Sequence, residues 1–207
     1  MEDYAKRYIE IFHTGIKNTK YKISGENSDS SSFFHELNEK AKMVKENGGR
    51  LFFFGNGASA AFSNHMSLDW SKNGGILALC LSDSAMLTAL ANDYDYNGAF
   101  LEFLKINNPS SDDLVITTSS SGNSKNVVNV LEYCKKNNIK TFGLSGLNEG
   151  NKTDKIADFS LFVPMKTYGM VECIHQVFHH IFLDKYMNIF EWEKTESQNM
   201  DSNNFKL

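Results

Sequence analysis

The sequence predicts an α/β fold in which helices cover both faces of a doubly wound, five-stranded parallel sheet. Five short runs, rich in β-branched and aromatic residues, are almost continuously apolar, as strands buried on both faces usually are. They comprise residues 51–54, 76–81, 114–117, 141–144 and 159–163. The segments between them carry apolar residues at helical spacing, as Val127, Val130 and Leu131 do. Strands that alternate with helices form parallel sheets through right-handed crossovers.

Additional helices are predicted at both ends of this alternation. Two precede the first strand, and the second of them runs from about residue 32 to residue 47, before a pair of glycines. A long helix follows the last strand, from about residue 168 to residue 191. We therefore expect residues 1–192 to form one domain with an N-terminal helical extension. The polar residues 193–207 are expected to form a disordered tail.

Composition and charge argue against several classes of protein. The 207-residue chain has a net charge of −4 and no basic run, which speaks against a nucleic-acid surface. No apolar stretch approaches the roughly 20 residues that span a bilayer, and the N-terminus lacks the apolar core of a signal peptide. The three cysteines show neither a disulfide framework nor metal-binding CxxC spacing. We expect a cytoplasmic protein that binds neither nucleic acid nor a membrane.

Two unusual loops follow the first and third predicted strands. In an open α/β sheet, ligands bind beyond the carboxyl ends of the strands, where the strand order reverses. For the flavodoxin-like order 2-1-3-4-5, this crevice lies between strands 1 and 3. The loops GNGASAA (residues 55–61) and SSSGNS (residues 119–124) should therefore face each other across it.

The serine-rich loop, SSSGNS, suits a phosphate group. It opens a helix near residues 123 and 124, where free backbone N–H groups and the positive end of the helix dipole attract anions. Gly122 permits a close approach of the backbone. Four hydroxyl groups surround this point, those of Ser119, Ser120, Ser121 and Ser124. Ordinary turn and helix-capping serines are the alternative interpretation.

The glycine-rich loop, GNGASAA, allows a different interpretation, a dinucleotide site. It matches the G-x-G-x-x-A fingerprint after a strand, and Asp83, after the second strand, could bind a ribose. A lone match of this kind is weak. The chain is also short for a dehydrogenase with a separate substrate domain.

Ionisable side chains occur on two predicted helices. His65 and Asp69 are one helical turn apart and face the same way. Such a pair suits two ligands of one metal ion or an acid/base pair. A solvent-exposed helix face is the alternative interpretation. The C-terminal helix contains Glu172, His179 and His180, and the pattern does not select the functional histidine. Glu172 and His180 would lie about 12 Å apart along an ideal helix. Binding one ion would therefore require an irregular helix or ligands from different subunits.

Several segments together resemble a known family. They are FFGNGASAAFSNH, LSDSAMLTALANDYDY, ITTSSSGNSKNVVNVL, FGLSG and VECIHQVFHH, in this order between about residues 33 and 190. The combination is similar to the phosphoheptose isomerases (sedoheptulose-7-phosphate isomerases) of the sugar isomerase (SIS) domain proteins. The resemblance implies conversion of sedoheptulose 7-phosphate to D-glycero-D-manno-heptose 7-phosphate, the first step towards nucleotide-activated heptose for bacterial lipopolysaccharide or capsule. It also implies a homotetramer with active sites between subunits and a bound divalent metal, which we expect to be zinc.

The same resemblance implies roles for individual residues. The four serines of the second loop would hold the phosphate. The sugar would contact Asn56, Gly57, Ala58, Ser59, Asp69, Asn92, Asp93 and Glu172. The metal ligands would be His65, Asp69, Glu172 and His180. Asp69 and His180 would be the catalytic acid/base residues.

Three positions depart from the family pattern. This chain has Asp69 where the family has glutamate, Glu172 where it has glutamine, and Gly169 where it usually has aspartate. The shorter Asp69 side chain could misplace the base. The two carboxylates would admit manganese or iron more readily. An enzyme for another phosphosugar, or a non-catalytic tetrameric SIS binding module, is therefore an alternative.

Overall fold

The computed structural model describes residues 3–193 and contains a seven-stranded sheet. The strands are β1 (Lys20–Ile23), β2 (Glu26–Ser28), β3 (Leu51–Gly55), β4 (Ala78–Cys80), β5 (Leu114–Ser119), β6 (Lys140–Gly146) and β7 (Phe159–Val163). Their spatial order is β2-β1-β7-β6-β5-β3-β4. The tail expected at residues 193–207 lies outside the described residues from residue 194 onwards.

The five predicted parallel strands are confirmed, and so is their order. Strands β3 to β7 pair in parallel, and counted by themselves they follow the order 2-1-3-4-5. Every residue of β3, β5 and β7 is buried. Because neither face of these strands meets water, no position in them favours a polar residue for solvation, which explains the nearly continuous apolar runs.

The sheet has two strands more than the five expected. β1 and β2 form an antiparallel hairpin whose turn residues, Ser24 and Gly25, have φ angles of 51° and 89°, as two-residue hairpin turns require. β1 also pairs antiparallel with β7 and covers that edge of the parallel sheet. Both strands are short and partly exposed. The sequence KYKI alternates polar and apolar residues, with Tyr21 and Ile23 packed against the core, but four residues followed by the polar ENS are too short a pattern to predict a hairpin.

Seven helices accompany the sheet within residues 3–193. They are α1 (Tyr4–Lys17), α2 (Ser30–Glu46), α3 (Ala58–Asp69), α4 (Ser84–Ile106), α5 (Lys125–Lys136), α6 (Lys152–Ile156) and α7 (Tyr168–Met187). A π-helical turn, Trp70–Gly74, continues α3, and a 3-10 turn covers Glu191–Glu193. The two helices before the first parallel strand and the long C-terminal helix are confirmed. α7 ends earlier than expected because Asn188 adopts a left-handed conformation, with φ of 56°. None of these helices combines the length and apolar character that crossing a membrane demands.

Hydrophobic cores lie on both faces of the sheet. Phe53 of β3 joins the core beneath α2, α3 and α7, whereas its neighbours Phe52 and Phe54 join the core beneath α4 and α5. This alternation follows from the opposite directions of successive side chains along a strand. Met66 of α3 and Phe182 of α7 belong to the same core as Phe53. The two helices with the predicted ionisable residues thus lie side by side on one face.

Candidate active site

The loops after β3 and β5 meet at the carboxyl edge of the sheet, as predicted. β3 and β5 are neighbouring parallel strands, and Gly55 pairs with Thr118 at their ends. The glycine-rich and serine-rich loops therefore enclose a cavity of about 310 Å³. All the predicted residues of both loops line it: Asn56, Gly57, Ala58, Ser59, Ser119, Ser120, Ser121 and Ser124. Thr118, Tyr168 and Glu172 complete the lining.

Hydrogen bonds between its own hydroxyl groups hold the serine-rich loop. Ser119 Oγ donates to Ser124 Oγ at 3.1 Å and lies 3.5 Å from Ser121 Oγ. Ser124 is the residue at which α5 begins. The hydroxyl groups therefore surround the N-terminus of this helix, where free N–H groups and the helix dipole favour an anion. This geometry fits a phosphate, and we refer to residues 119–124 as the phosphate cradle.

Gly122 attaches the phosphate cradle to the start of α6. Its φ angle is 63°, in the region that favours glycine. Its carbonyl oxygen accepts a hydrogen bond from the backbone N–H of Thr153 at 2.9 Å. A Cβ atom at position 122 would overlap the side-chain amide of Asn151. The shape of the cradle thus depends on glycine at this position.

Two residues that the sequence pattern did not predict hold Asn56 of the glycine-rich loop. The amides of Asn56 and Asn126 pair through two hydrogen bonds of 3.0 Å. Tyr96 donates its hydroxyl hydrogen to Asn56 Oδ1 at 2.7 Å. Both residues lie inside segments quoted for the family resemblance, but no spacing rule selects them. Together they fix the orientation of Asn56 beside the cavity.

Two histidines of α7 are buried and connect this helix to the sheet. His179 Nε2 lies 2.9 Å from Thr118 Oγ1, and burial lowers the pKa of His179 to about 3. His175 Nε2 donates to the carbonyl oxygen of Ser145 at 3.0 Å, and burial lowers the pKa of His175 to about 4. Both rings are neutral at pH 7 and closed to a substrate. Among the histidines of α7, only the partly exposed His180 is left for acid/base chemistry.

His65, Asp69 and His180 come together where α3 contacts α7. His65 Nε2 lies 3.2 Å from Asp69 Oδ2, and the ring centroids of His65 and His180 are 5.3 Å apart. One donor atom from each of the three residues lies within 4.8 Å of the other two. Two imidazoles and a carboxylate form a donor set that suits zinc and related divalent ions. These three residues are the candidate metal centre.

Glu172, the fourth predicted ligand, does not join this cluster. It lines the cavity of the phosphate cradle, whereas His180 lies two turns further along the continuous helix α7. Eight residues of helix span about 12 Å. Within one chain, Glu172 is therefore on the side of the cradle and His180 on the side of the metal centre.

Two other predicted site residues lie on α4, outside the cavity lining. Asn92 and Asp93 are exposed, and Asn92 Nδ2 donates to Asp93 Oδ1 at 3.0 Å. Asp83, considered as a ribose ligand, instead caps α4 by accepting from the backbone N–H of Met86 at 2.8 Å. This capping role accounts for Asp83 without a dinucleotide.

The parallel sheet, the phosphate cradle and the His/Asp cluster define an α/β protein with a candidate anion site and a candidate metal centre. The family model described as the SIS domain matches residues 30–146, more than half of the chain. A phosphoheptose isomerase of Aneurinibacillus thermoaerophilus is 32% identical over 187 residues, which cover 87% of this chain and 91% of that protein. A phosphoheptose isomerase of Helicobacter pylori is 36% identical over 148 residues, covering 67% and 74% respectively. The chain belongs to the SIS domain family and, within it, to the phosphoheptose isomerases.

A solved structure confirms the fold. The structure of a phosphoheptose isomerase from Francisella tularensis matches with a TM-score of 0.70 at 21% sequence identity. The match covers 90% of this chain and 100% of that chain. The predicted flavodoxin-like class is therefore correct.

Proposed function

We propose that this protein is an aldose–ketose isomerase that converts sedoheptulose 7-phosphate into D-glycero-D-manno-heptose 7-phosphate. The product would enter bacterial heptose biosynthesis for lipopolysaccharide or capsule. The cavity between the two loops is the main support, because it joins a phosphate cradle to polar groups suited to sugar hydroxyls. The relatives at 32% and 36% identity are named phosphoheptose isomerases.

The cavity suggests how a phosphorylated sugar is oriented. The hydroxyls of the cradle and the N-terminus of α5 would hold the phosphate. Asn56, fixed by Asn126 and Tyr96, would contact the sugar. The Glu172 carboxylate in the cavity lining would accept hydrogen bonds from sugar hydroxyls. The roles of Asn92 and Asp93 stay predictions.

The isomerisation moves a proton between C1 and C2 through an enediol. A base removes a proton from C1 of the ketose while an acid protonates the carbonyl oxygen at C2. Return of a proton to C2 and loss of the proton on O1 then give the aldose. We assign Asp69 as the base and His180 as its acid/base partner, since a carboxylate and an imidazole suit these roles. The Asp69 side chain is only 7% exposed, which limits its contact with bulk water.

A divalent ion, which we propose to be zinc, fits beside these groups. His65, Asp69 and His180 would hold it, because their donor atoms lie within 4.8 Å of one another. When bound, such an ion polarises a carbonyl oxygen and stabilises negative charge on it.

We further propose a homotetramer with active sites between subunits. The separation of Glu172 from His180 on α7 supports this proposal. Within one chain, Glu172 lines the cavity whereas His180 belongs to the candidate metal centre, so the predicted site residues of a single chain do not all surround one substrate. Large apolar side chains on α1 also point outwards, with Tyr4 80% and Ile9 65% exposed. Such exposed apolar groups are typical of a surface that another subunit covers. A cytoplasmic location follows from the proposed substrate, a phosphorylated metabolite.

The proposal is tested by incubating the purified protein with sedoheptulose 7-phosphate, with and without a chelator. We expect aldose product, loss of product with the chelator, and recovery after zinc is added. Absence of turnover with every divalent metal tried would contradict the proposal.

A second candidate function is isomerisation of a different phosphosugar. The Glu172 carboxylate in the cavity lining favours it, since a negative charge at this place changes which hydroxyl groups are accepted. A panel of ketose phosphates with five to seven carbons would identify the preferred substrate. Tight binding of a sugar phosphate without turnover would instead indicate a binding module.

A further inference from the structure

The side-chain amides of Asn56 and Asn126 form a closed pair beside the cavity. Asn56 Nδ2 donates to Asn126 Oδ1, and Asn126 Nδ2 donates to Asn56 Oδ1, both at 3.0 Å. A pair of this kind has two arrangements, because turning over both amides exchanges each nitrogen with an oxygen and keeps both hydrogen bonds. A further contact is therefore needed to determine which end of the Asn56 amide is the nitrogen.

The backbone of α5 provides this contact. The N–H group of Val127 donates to Asn126 Oδ1 at 3.0 Å. A backbone N–H group cannot accept a hydrogen bond, so the atom that faces it must be the amide oxygen. Asn126 Nδ2 is then the atom that faces Asn56 Oδ1. Because Asn126 is only 3% exposed, water does not compete for these bonds, and α5 sets the orientation of the Asn56 amide.

Tyr96 adds a second hydrogen bond to the same oxygen. Its hydroxyl group donates to Asn56 Oδ1 at 2.7 Å. Asn56 Oδ1 thus accepts one bond from Tyr96 and one from Asn126, which occupies both of its lone pairs. Of the two hydrogens on Asn56 Nδ2, one is donated to Asn126, and the other has no acceptor within residues 3–193. Since Asn56 lines the cavity, this hydrogen is available to a ligand there.

We propose that Tyr96 is a positioning residue that, together with Asn126, makes Asn56 a hydrogen-bond donor only, so that the site selects a ligand with an acceptor oxygen beside Asn56. The inference rests on the proposed function only in that the ligand is a phosphorylated sugar. Hydroxyl, carbonyl and phosphate oxygens all accept hydrogen bonds and meet this requirement. A group that only donates, such as the ammonium group of an amino sugar, does not meet it.

The backbone before Tyr96 is kinked and anchored to α5. Asp95 has a φ angle of 56° and a ψ angle of 167°, which interrupts α4. Residues other than glycine rarely adopt this conformation, and such strain concentrates at binding sites. The Asp95 carboxylate accepts hydrogen bonds from the backbone N–H groups of Asn97 and Gly98. The side chain of Asn129 in α5 donates to the Asn97 carbonyl oxygen at 2.9 Å. These contacts hold the segment from which Tyr96 reaches Asn56.

Tyr96 can be tested with a mild substitution and a matched control. Its side chain is 49% exposed, and its ring contacts Phe100 with the centroids 6.2 Å apart. Tyr96→Phe keeps this ring contact and removes only the hydroxyl group that bonds Asn56. Tyr94→Phe is the control, because Tyr94 lies in the same segment, is 53% exposed, and its hydroxyl group makes no hydrogen bond within residues 3–193.

The first test is titration calorimetry of the full-length protein with heptitol 7-phosphate, made by reducing the carbonyl group of sedoheptulose 7-phosphate. This probe keeps the phosphate and hydroxyl groups but cannot be isomerised. We expect Tyr96→Phe to weaken its binding about 2- to 10-fold, as loss of one hydrogen bond does, and Tyr94→Phe to leave it unchanged. Asn56→Ala should weaken binding at least as much. In the Asn56→Ala background, Tyr96→Phe should have no further effect, because Tyr96 acts through Asn56.

Nuclear magnetic resonance of the side-chain amides tests the donor itself. In protein labelled with ¹⁵N, the signals of the two Asn56 Nδ2 hydrogens are identified by their loss in Asn56→Ala. When the probe is added, one of them should move downfield as it enters a hydrogen bond, whereas the hydrogen bonded to Asn126 should stay. The movement should be smaller in Tyr96→Phe and unchanged in Tyr94→Phe.

Four results would overturn the inference. They are wild-type affinity in Tyr96→Phe, an undiminished effect of Tyr96→Phe in the Asn56→Ala background, movement of neither Asn56 hydrogen, and a wild type that does not bind the probe. Circular dichroism shows whether each variant is folded. Asn56→Leu, which is closer in size to asparagine, replaces Asn56→Ala if the latter is unfolded.

Turnover of sedoheptulose 7-phosphate is measured separately, so that the two proposals fail independently. In an active enzyme, Tyr96→Phe should raise KM with little change in kcat, because the Asn56 donor holds the ligand and does not transfer the proton. A fall in kcat at constant KM would contradict this positioning role. Probe binding that depends on Tyr96 in a protein without turnover would support the inference and contradict the isomerase proposal. Turnover together with probe binding that does not depend on Tyr96 would do the reverse.

Discussion

Thr118 Oγ1 and His179 Nε2 lie 2.9 Å apart, and both residues are only 1% exposed. Thr118 is the penultimate residue of β5, directly before the phosphate cradle, and His179 precedes His180 in α7. One buried hydrogen bond therefore links the cradle to the helix that carries the candidate acid/base residue.

We expect His179→Phe to lower both stability and substrate affinity. The substitution leaves the buried Thr118 hydroxyl without its partner, which should reduce the free energy of unfolding by about 1–3 kcal/mol. It should also raise KM for the phosphosugar, because Thr118 supports the cradle. Urea denaturation and steady-state kinetics measure the two effects. The double variant with Thr118→Val should be less destabilised than the sum of the single variants, and strict additivity would contradict the link.

We expect His180→Ala to lose activity while the protein stays folded. His180 is partly exposed at the candidate metal centre, and removal of an acid/base group lowers kcat by about 10²–10⁴-fold. Kinetics on the zinc-loaded variant, with circular dichroism as the folding control, provide the measurement. If turnover is retained, His180 has no part in the mechanism.

Stability should fall at alkaline pH through Cys134. Burial raises the pKa of the Cys134 thiol to about 12, whereas an unfolded thiol ionises near 8.5. As pH rises above about 8.5, the unfolded state loses the proton first, so the free energy of unfolding falls by up to about 1.4 kcal/mol per pH unit. Below this pH the contribution is fully present.

Urea denaturation in reducing buffer between pH 7 and pH 10 measures this dependence. Cys134→Ala should reduce the slope above pH 8.5, although it also removes packing and lowers stability at every pH. Cys173→Ala is the matched control, because Cys173 is exposed, and it should keep the wild-type slope. Identical slopes for all three proteins would show that Cys134 does not contribute.

We expect Gly122→Ala to weaken binding of phosphorylated ligands. Alanine is strained at the φ angle of 63° and overlaps Asn151, so the cradle must shift. The matched control is Gly48→Ala, since Gly48 has a similar φ angle of 69° and nothing within 4 Å of an added Cβ. Both variants should lose about 1 kcal/mol of stability or more. Only Gly122→Ala should raise KM, and an equal rise in both would argue against a role for the cradle.

The sequence predicted the parallel sheet well because burial on both faces leaves a direct trace in composition. The runs that became β3, β5 and β7 are apolar at nearly every position. The β1–β2 hairpin was missed for the opposite reason. Its strands are only four and three residues long and partly exposed, and its pairing with β7 depends on a strand more than 130 residues away along the chain.

The candidate site, too, was predictable from the sequence only in part. Local spacing was sufficient to predict the two loops at the carboxyl ends of β3 and β5 and to predict that His65 and Asp69 share one helix face. Helical and strand periodicity act over only a few residues, so both features can be read locally. Packing assigned the histidines of α7, burying His175 and His179 and leaving His180 beside His65. It also placed Glu172 in the cavity lining, away from His180. Such contacts join residues distant in the chain, and burial and pairing across two helices have no signature in the order of the amino acids along either one.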